Sequence, residues 1–185
     1  EYLNEKNHEL LLRQGIQFHW KNVNYKSFNE FLKTLSSRKR KVIKKERLCL
    51  KNNNLKVQLL SGNKIKKKHW DFFYKCYLNT AEKKWGSSYL TKEFFLEIGK
   101  NLSSKILLII AYQHDQMIAS ALNFTSSSHL YGRIWGAIKK IPYLHFELCY
   151  YQAIEYSINH KLKIVEAGAQ GTHKLQRGYM PQKTW

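Results

Sequence analysis

The sequence predicts a mixed α/β fold, with a mostly antiparallel central sheet and helices on both faces. Three strand-like segments, residues 105–112, 116–124 and 129–136, follow in close order, the first two joined through His114-Asp115 and the last two by residues 125–128. That is an antiparallel meander whose first connection is a tight hairpin turn. A long amphipathic helix comes next, over residues 143–160, with Leu144, Leu148, Tyr151, Ile154 and Ile158 at helical spacing. A short strand, residues 163–167, follows it. Meander, helix and strand in that order means helices packed on a mixed sheet.

The first half supplies the remaining elements. Residues 4–14 read as a helix closed by Gly15, and residues 16–20 as a short strand. Ser27-x-x-Glu30 is a capping box, followed by Phe28, Phe31, Leu32 and Leu35 at helical spacing. Ser36 and Ser37 offer a fresh N-cap for a basic helix through Arg47, on which Val42 and Ile43 form a narrow apolar seam. Residues 55–60, bounded by three asparagines and by Ser61-Gly62-Asn63, read as a strand. Trp70, Phe73, Tyr74, Tyr77 and Leu78 mark a helix ending before Trp85-Gly86. Thr91 caps another, carrying Phe94, Phe95, Ile98 and Leu102. After residue 167 the sequence reads as a glycine-punctuated tail and a polar loop.

Of 185 residues, 43% are hydrophobic and 14% aromatic, enough for one good-sized core and too much for disorder. The longest apolar stretch, residues 106–112, has the length of a buried strand. No membrane span is expected. With no signal peptide legible, and three widely spaced cysteines (Cys49, Cys76, Cys149), a reducing cytoplasm is the expected compartment. Eight histidines without HxxxH or HxH spacing predict no metal site. Both termini read as cut from something longer.

The formal charge of +19 is unevenly spread: residues 1–92 hold 22 of the 32 basic residues and 7 of the 13 acidic ones. Such a field attracts tRNA, phosphorylated cofactors or anionic lipid headgroups. Lysine outnumbers arginine 26 to 6, which an AT-rich genome also produces, so charge alone names no partner.

Three runs carry a family resemblance: Leu130-Tyr131-Gly132-Arg133-Ile134-Trp135-Gly136; Leu144-His145-Phe146-Glu147-Leu148-Cys149-Tyr150-Tyr151-Gln152; and Glu166-Ala167-Gly168-Ala169-Gln170-Gly171-Thr172-His173-Lys174-Leu175-Gln176-Arg177-Gly178. With Gln17-Phe18-His19-Trp20 and His69-Trp70-Asp71, they closely resemble a bacterial family of peptidoglycan biosynthesis or recognition proteins, distant relatives of the Fem aminoacyltransferases. The resemblance implies the acyl-CoA N-acyltransferase (GNAT-like) fold. It also implies two tandem domains, with residues 1–20 the tail of a preceding domain or a linker and residues 21–185 a second domain truncated at its C-terminus. The basic helix resembles the start of the second Fem domain. The implied activity is transfer of an acyl or aminoacyl group to an amine, on a peptidoglycan precursor, with acyl-CoA or aminoacyl-tRNA as co-substrate and no permanently bound cofactor. A non-catalytic recognition module on the same fold is the rival reading.

Within that frame, Glu147 and His173 are the candidate acid–base residues. His145 and Glu147, two apart on a helix, cannot share one face. Arg133, His145, Gln170, Lys174 and Arg177 are candidate substrate contacts. The tail after residue 166 is favoured because its glycines let backbone amides approach a ligand, and because it follows a strand C-terminus. Arg133 is expected on one strand face with Tyr131 and Trp135. Lys139 and Lys140 lie where a GNAT enzyme has its pyrophosphate loop, but residues 136–143 lack the second glycine and carry Pro142, so they are expected to meet phosphate as point charges. Arg38, Lys39, Arg40, Lys41, Lys44 and Lys45 are the candidate tRNA contacts.

Overall fold

The computed structural model describes residues 13–185, and the expected helix over residues 4–14 lies outside them as far as residue 12. Seven strands form one sheet: β1 (Gly15–Lys21), β2 (Leu55–Ser61), β3 (Ile106–Gln113), β4 (Gln116–Thr125), β5 (His129–Ala137), β6 (Ile164–Glu166) and β7 (Met180–Thr184). Their spatial order is β2-β3-β4-β5-β6-β1-β7. Every neighbouring pair is antiparallel except β5 and β6, which run parallel. The β3–β4 turn places His114 and Asp115 at φ 49° and 60°, the left-handed pair that a two-residue hairpin favours.

β3 is buried along Ile106–Ala111, as a strand covered on both faces must be. Leu107, Ile109 and Ala111 face one core, made by α1 (Phe28–Lys33), α2 (Ser37–Asn52) and the helix before β6. Leu108 and Ile110 face the other, made by α3 (Lys67–Trp85) and α4 (Lys92–Asn101) with Phe73, Tyr77 and Phe95 at its centre. The caps follow the sequence: Ser27, Ser36 and Thr91 accept the N–H groups of Glu30, Lys39 and Phe94.

The structure departs from the sequence reading in three places. β1 lies between β6 and β7 with Trp20 in the core, so the boundary expected at residues 20 and 21 falls inside a strand of this sheet. The stretch expected as a polar loop contains β7, whose Pro181 sits opposite Phe18 on an edge strand, where a missing N–H leaves no ladder bond unmade. The long helix is not regular: α5 (Leu144–Phe146) passes through a π turn (Glu147–Tyr151) into α6 (Gln152–Asn159). The wider turn stacks residues five apart, and Gln152 Nε2 donates to Glu147 Oε1 at 2.7 Å.

Candidate active site

β5 and β6 pair only as far as Tyr131 and Glu166. Beyond that point β5 continues to Ala137 against β4 alone, while the chain leaves β6 as the loop 167–171, so the two parallel strands split. A cavity of about 590 Å³ fills the split. Its walls are β4 and β5 on one side, His145, Cys149 and Tyr150 above, and the 167–171 loop with His173 and Lys174 opposite. A second cavity of about 490 Å³ shares Thr80, Trp135 and His145 with the first and runs over Lys83, Lys139 and Lys140. Among the described residues lining either cavity there is no carboxylate.

The sheet itself positions Arg133. Leu122 pairs with Ile134 and Asn123 with Gly132, which leaves Arg133 as the extra residue of a β-bulge at the mouth of the split. The bulge breaks the alternation expected for Tyr131, Arg133 and Trp135. Arg133 and Trp135 line the cavity, whereas Tyr131 stacks on His129 with centroids 5.6 Å apart.

His173 sits in a 3-10 turn (Thr172–Arg177) that follows Gly171 at φ 103°. A Cβ on Gly171 would lie 2.4 Å from the imidazole, so glycine there lets the loop fold over the ring. Nε2 of His173 is 2.9 Å from the Tyr150 hydroxyl, and the His145 and Phe146 rings complete the cluster. Burial, with Arg177 and Lys174 nearby, lowers the His173 pKa from its ordinary value. Burial raises the Tyr150 phenol, so the pair is neutral imidazole and intact phenol at neutral pH. That pair can accept or pass a proton.

Lys174 is only 4% exposed. Its ammonium donates to the carbonyls of Ala167 (2.5 Å) and Gly168 (3.1 Å) and lies 5.4 Å from the Phe18 ring centre. Burial lowers its pKa. It fastens the loop from beneath. Gln170 is exposed on the same loop and lines the cavity.

Two candidates face elsewhere. Glu147, expected as a base, is 0% exposed and points at α2, where Arg47 holds it through Nε (3.2 Å) and Nη2 (2.9 Å). Burial pushes its carboxyl up against the pull of Arg47 and Gln152. Arg177, expected as a substrate contact, is buried against Glu46, with the Tyr151 hydroxyl 3.0 Å from Nε and its guanidinium 3.6 Å over Phe146. Its Nη1 donates to the His173 carbonyl at 2.7 Å, so Arg177 props the turn that carries His173. The two-residue spacing separates His145 from Glu147 as expected: the first reaches the cavity, the second the helix behind it.

Lys139 and Lys140 both line the second cavity, where Lys139 Nζ donates to Gln113 Oε1 at 2.5 Å. On α2, Arg38, Lys41, Lys44 and Lys45 are exposed. Lys39 and Arg40 are half-buried ties instead: Lys39 Nζ donates to the Leu175 carbonyl (3.2 Å) and Arg40 Nη1 to that of Leu35 (2.5 Å). Glu46 and Arg47 escaped the sequence reading because they sit in a lysine-rich run. The available signal was their place three and four residues after Ile43, on the apolar seam. Tyr150, Trp135 and Asn123 were also missed, since an aromatic or amide in a hydrophobic segment reads as core.

Among the described residues no cluster of ligating side chains fits a metal ion, and no helix is long and apolar enough to cross a membrane. No curated protein sequence matches the chain. Its fold is that of FemX (TM-score 0.67, 12% identity, covering 90% of this chain and 59% of that one) and of L-PGS from Bacillus licheniformis (0.63, 9%, 92% and 59%). It is also similar to the C-terminal domain of a putative lysylphosphatidylglycerol synthetase from Agrobacterium fabrum (0.60, 7%, 85% and 48%). The chain thus spans about three-fifths of the FemX and L-PGS chains. The model of one family matches residues 2–185, nearly the whole sequence, and the chain belongs to that family: the FemAB-like proteins of peptidoglycan biosynthesis/recognition.

Proposed function

We propose that this protein transfers an aminoacyl group from an ester donor, aminoacyl-tRNA, to the amine of a peptidoglycan precursor. The observation that carries the reading is the cavity in the β5–β6 split, cationic at Arg133 and Lys174 and holding the His173–Tyr150 pair. Transfer between an ester and an amine needs no covalent intermediate; positioning and proton removal suffice. His173, neutral and half-buried, is the group placed to take the amine's proton. The basic second cavity and the exposed Arg38, Lys41, Lys44 and Lys45 of α2 supply the phosphate-binding charge that an RNA donor requires.

The test is transfer of a radiolabelled amino acid from a mixed aminoacyl-tRNA pool to a soluble precursor by the full-length protein, alongside binding of coenzyme A. Transfer that falls steeply with salt, without coenzyme A binding, is the expected result. Saturable coenzyme A binding with transfer from acyl-CoA would move the donor to a thioester. That no carboxylate lines the cleft among the described residues favours a second reading, a recognition module for anionic precursors, which binding without turnover would establish.

A further inference from the structure

The loop after β6 carries a feature that depends on the direction of its peptide planes. The carbonyls of Ala167 and Gly168 both accept from Lys174 Nζ, and that of Gly168 also accepts from the Phe18 N–H at 3.1 Å. Phe18 belongs to β1, on the side of β6 away from the split. Two successive carbonyls pointing the same way is not strand geometry, in which direction alternates. It is permitted here because Gly168 adopts φ 75°.

No peptide bond in the described chain is cis, so each carbonyl is opposed by the N–H of the next residue. The N–H groups of Gly168 and Ala169 therefore both point away from Lys174 and β1, toward the β5 side and the cavity that these two residues line. Among the described residues neither N–H donates to a backbone or side-chain acceptor. Successive amides converging at a left-handed residue form an anion-binding concavity. The bulged Arg133 stands across the split.

We infer that the Gly168 and Ala169 amides form an oxyanion hole, set by Lys174, which receives the acyl carbonyl oxygen during transfer. The inference rests on the transferase reading above. The amine nitrogen attacks the acyl carbon and the carbonyl π pair moves onto oxygen, where the two N–H groups meet the charge. Collapse re-forms the carbonyl and breaks the ester C–O bond, and the proton lost by nitrogen leaves on the departing alcohol. Pre-aimed donors of this kind stabilise the transition state because they need no reorganisation when the charge develops. Lys174 is a positioning residue. It fixes the two peptide planes, and its buried charge adds to the local potential.

The test is an amide NMR titration of the ¹⁵N-labelled full chain with methylphosphonate, a tetrahedral oxyanion, paired with transfer assays. Saturable downfield proton shifts at Gly168 and Ala169 are expected, lost in Lys174→Met and restored in Lys174→Arg. Silent amides in the wild-type chain, or unchanged shifts in Lys174→Met, overturn the inference. Replacing Ala169 by its α-hydroxy analogue turns the 168–169 amide into an ester and keeps every side chain, which guards against a Lys174 variant that fails to fold. Transfer should then fall on the order of 10²-fold, as for loss of one oxyanion donor. An unchanged rate overturns the inference. Shifted amides with no transfer from any donor overturn the transferase reading instead.

Discussion

Arg47 of α2 grips Glu147 of the π turn across 100 positions of sequence, through Nε at 3.2 Å and Nη2 at 2.9 Å. The same guanidinium lies 4.5 Å over Phe28 and reaches Glu155 at 2.8 Å. The preceding residue of the same helix, Glu46, takes Arg177 and the Tyr151 hydroxyl. α2 is thus basic toward solvent and ion-paired toward the core, and its inner face supports the turn that bears His173. The glutamate that a sequence reader would give to chemistry is occupied by architecture.

Removing Arg47 leaves a fully buried carboxylate without its partner. Arg47→Met is expected to cost about 3–5 kcal/mol in urea unfolding, whereas Glu155→Ala, at the exposed end of the pair, costs no more than about 1 kcal/mol. The pH dependence follows from sign. Without the pull of Arg47, the carboxyl that burial already raises climbs further. A native pKa above the unfolded one means stability is lost as pH rises through that window. The Arg47→Met deficit should therefore be larger at pH 8 than at pH 5. An equal deficit at both would mean that Glu147 finds another cation.

His173 shifts the other way. Its lowered pKa, from burial and then from Arg177 and Lys174, means that the unfolded state binds the proton more readily. This group's contribution to stability is present above the unfolded value of about 6.5 and is lost as pH falls through the native one. Imidazole resonances followed by NMR should place His173 below about 6.5. If transfer uses it as a base, the acidic limb of kcat/KM should follow the same titration. A His173 that titrates at or above the ordinary value removes that role.

The two glycines of the 167–171 loop should respond differently to alanine. At Gly168, φ is 75° and a Cβ would meet no atom within 4 Å, so Gly168→Ala carries the left-handed penalty alone, about 1 kcal/mol. At Gly171, φ is 103° and the Cβ would strike the His173 ring, so Gly171→Ala should cost more, about 2–3 kcal/mol, and displace the imidazole. Thermal unfolding with His173 chemical shifts as a second readout checks both. Equal costs would mean the loop relaxes freely around His173.

Much of the fold was legible because it is written locally. The β3–β4 hairpin, the serine and threonine caps and the spacing of Leu144, Leu148, Tyr151, Ile154 and Ile158 depend on neighbours within one or two turns, and all five of those side chains are buried. β7 was not legible, since Met-Pro-Gln-Lys-Thr has neither alternation nor β-branched runs and becomes a strand only because β1 offers an edge. The π turn was hidden for a related reason: five-residue stacking there serves Glu147, whose partner lies in α2. For the site, the glycine-rich tail could be located by composition, and Gln170, His173 and Lys174 do reach the cavity. The direction of its amides, and the inward turn of Arg177, depend on contacts with β1 and Glu46 that sequence spacing does not encode.

The basic helix separates into charges that are free to bind and charges that are spent. Arg38, Lys41, Lys44 and Lys45 are exposed on one face of α2, while Lys39 and Arg40 are tied to the Leu175 and Leu35 carbonyls. If the outward face meets RNA phosphates, replacing Lys41, Lys44 and Lys45 by Gln should reduce the slope of log affinity against log salt by about 2–3, with unfolding unchanged. Arg40→Ala should do the reverse: it leaves the salt slope nearly intact and costs about 1–2 kcal/mol, because it releases the carbonyl that follows α1. Filter binding of tRNA across a salt series, with urea unfolding of each variant, distinguishes the two classes. A triple variant that binds tRNA with the wild-type slope would remove α2 from the RNA path and leave the second cavity, with Lys83, Lys139 and Lys140, as the phosphate contact to test next.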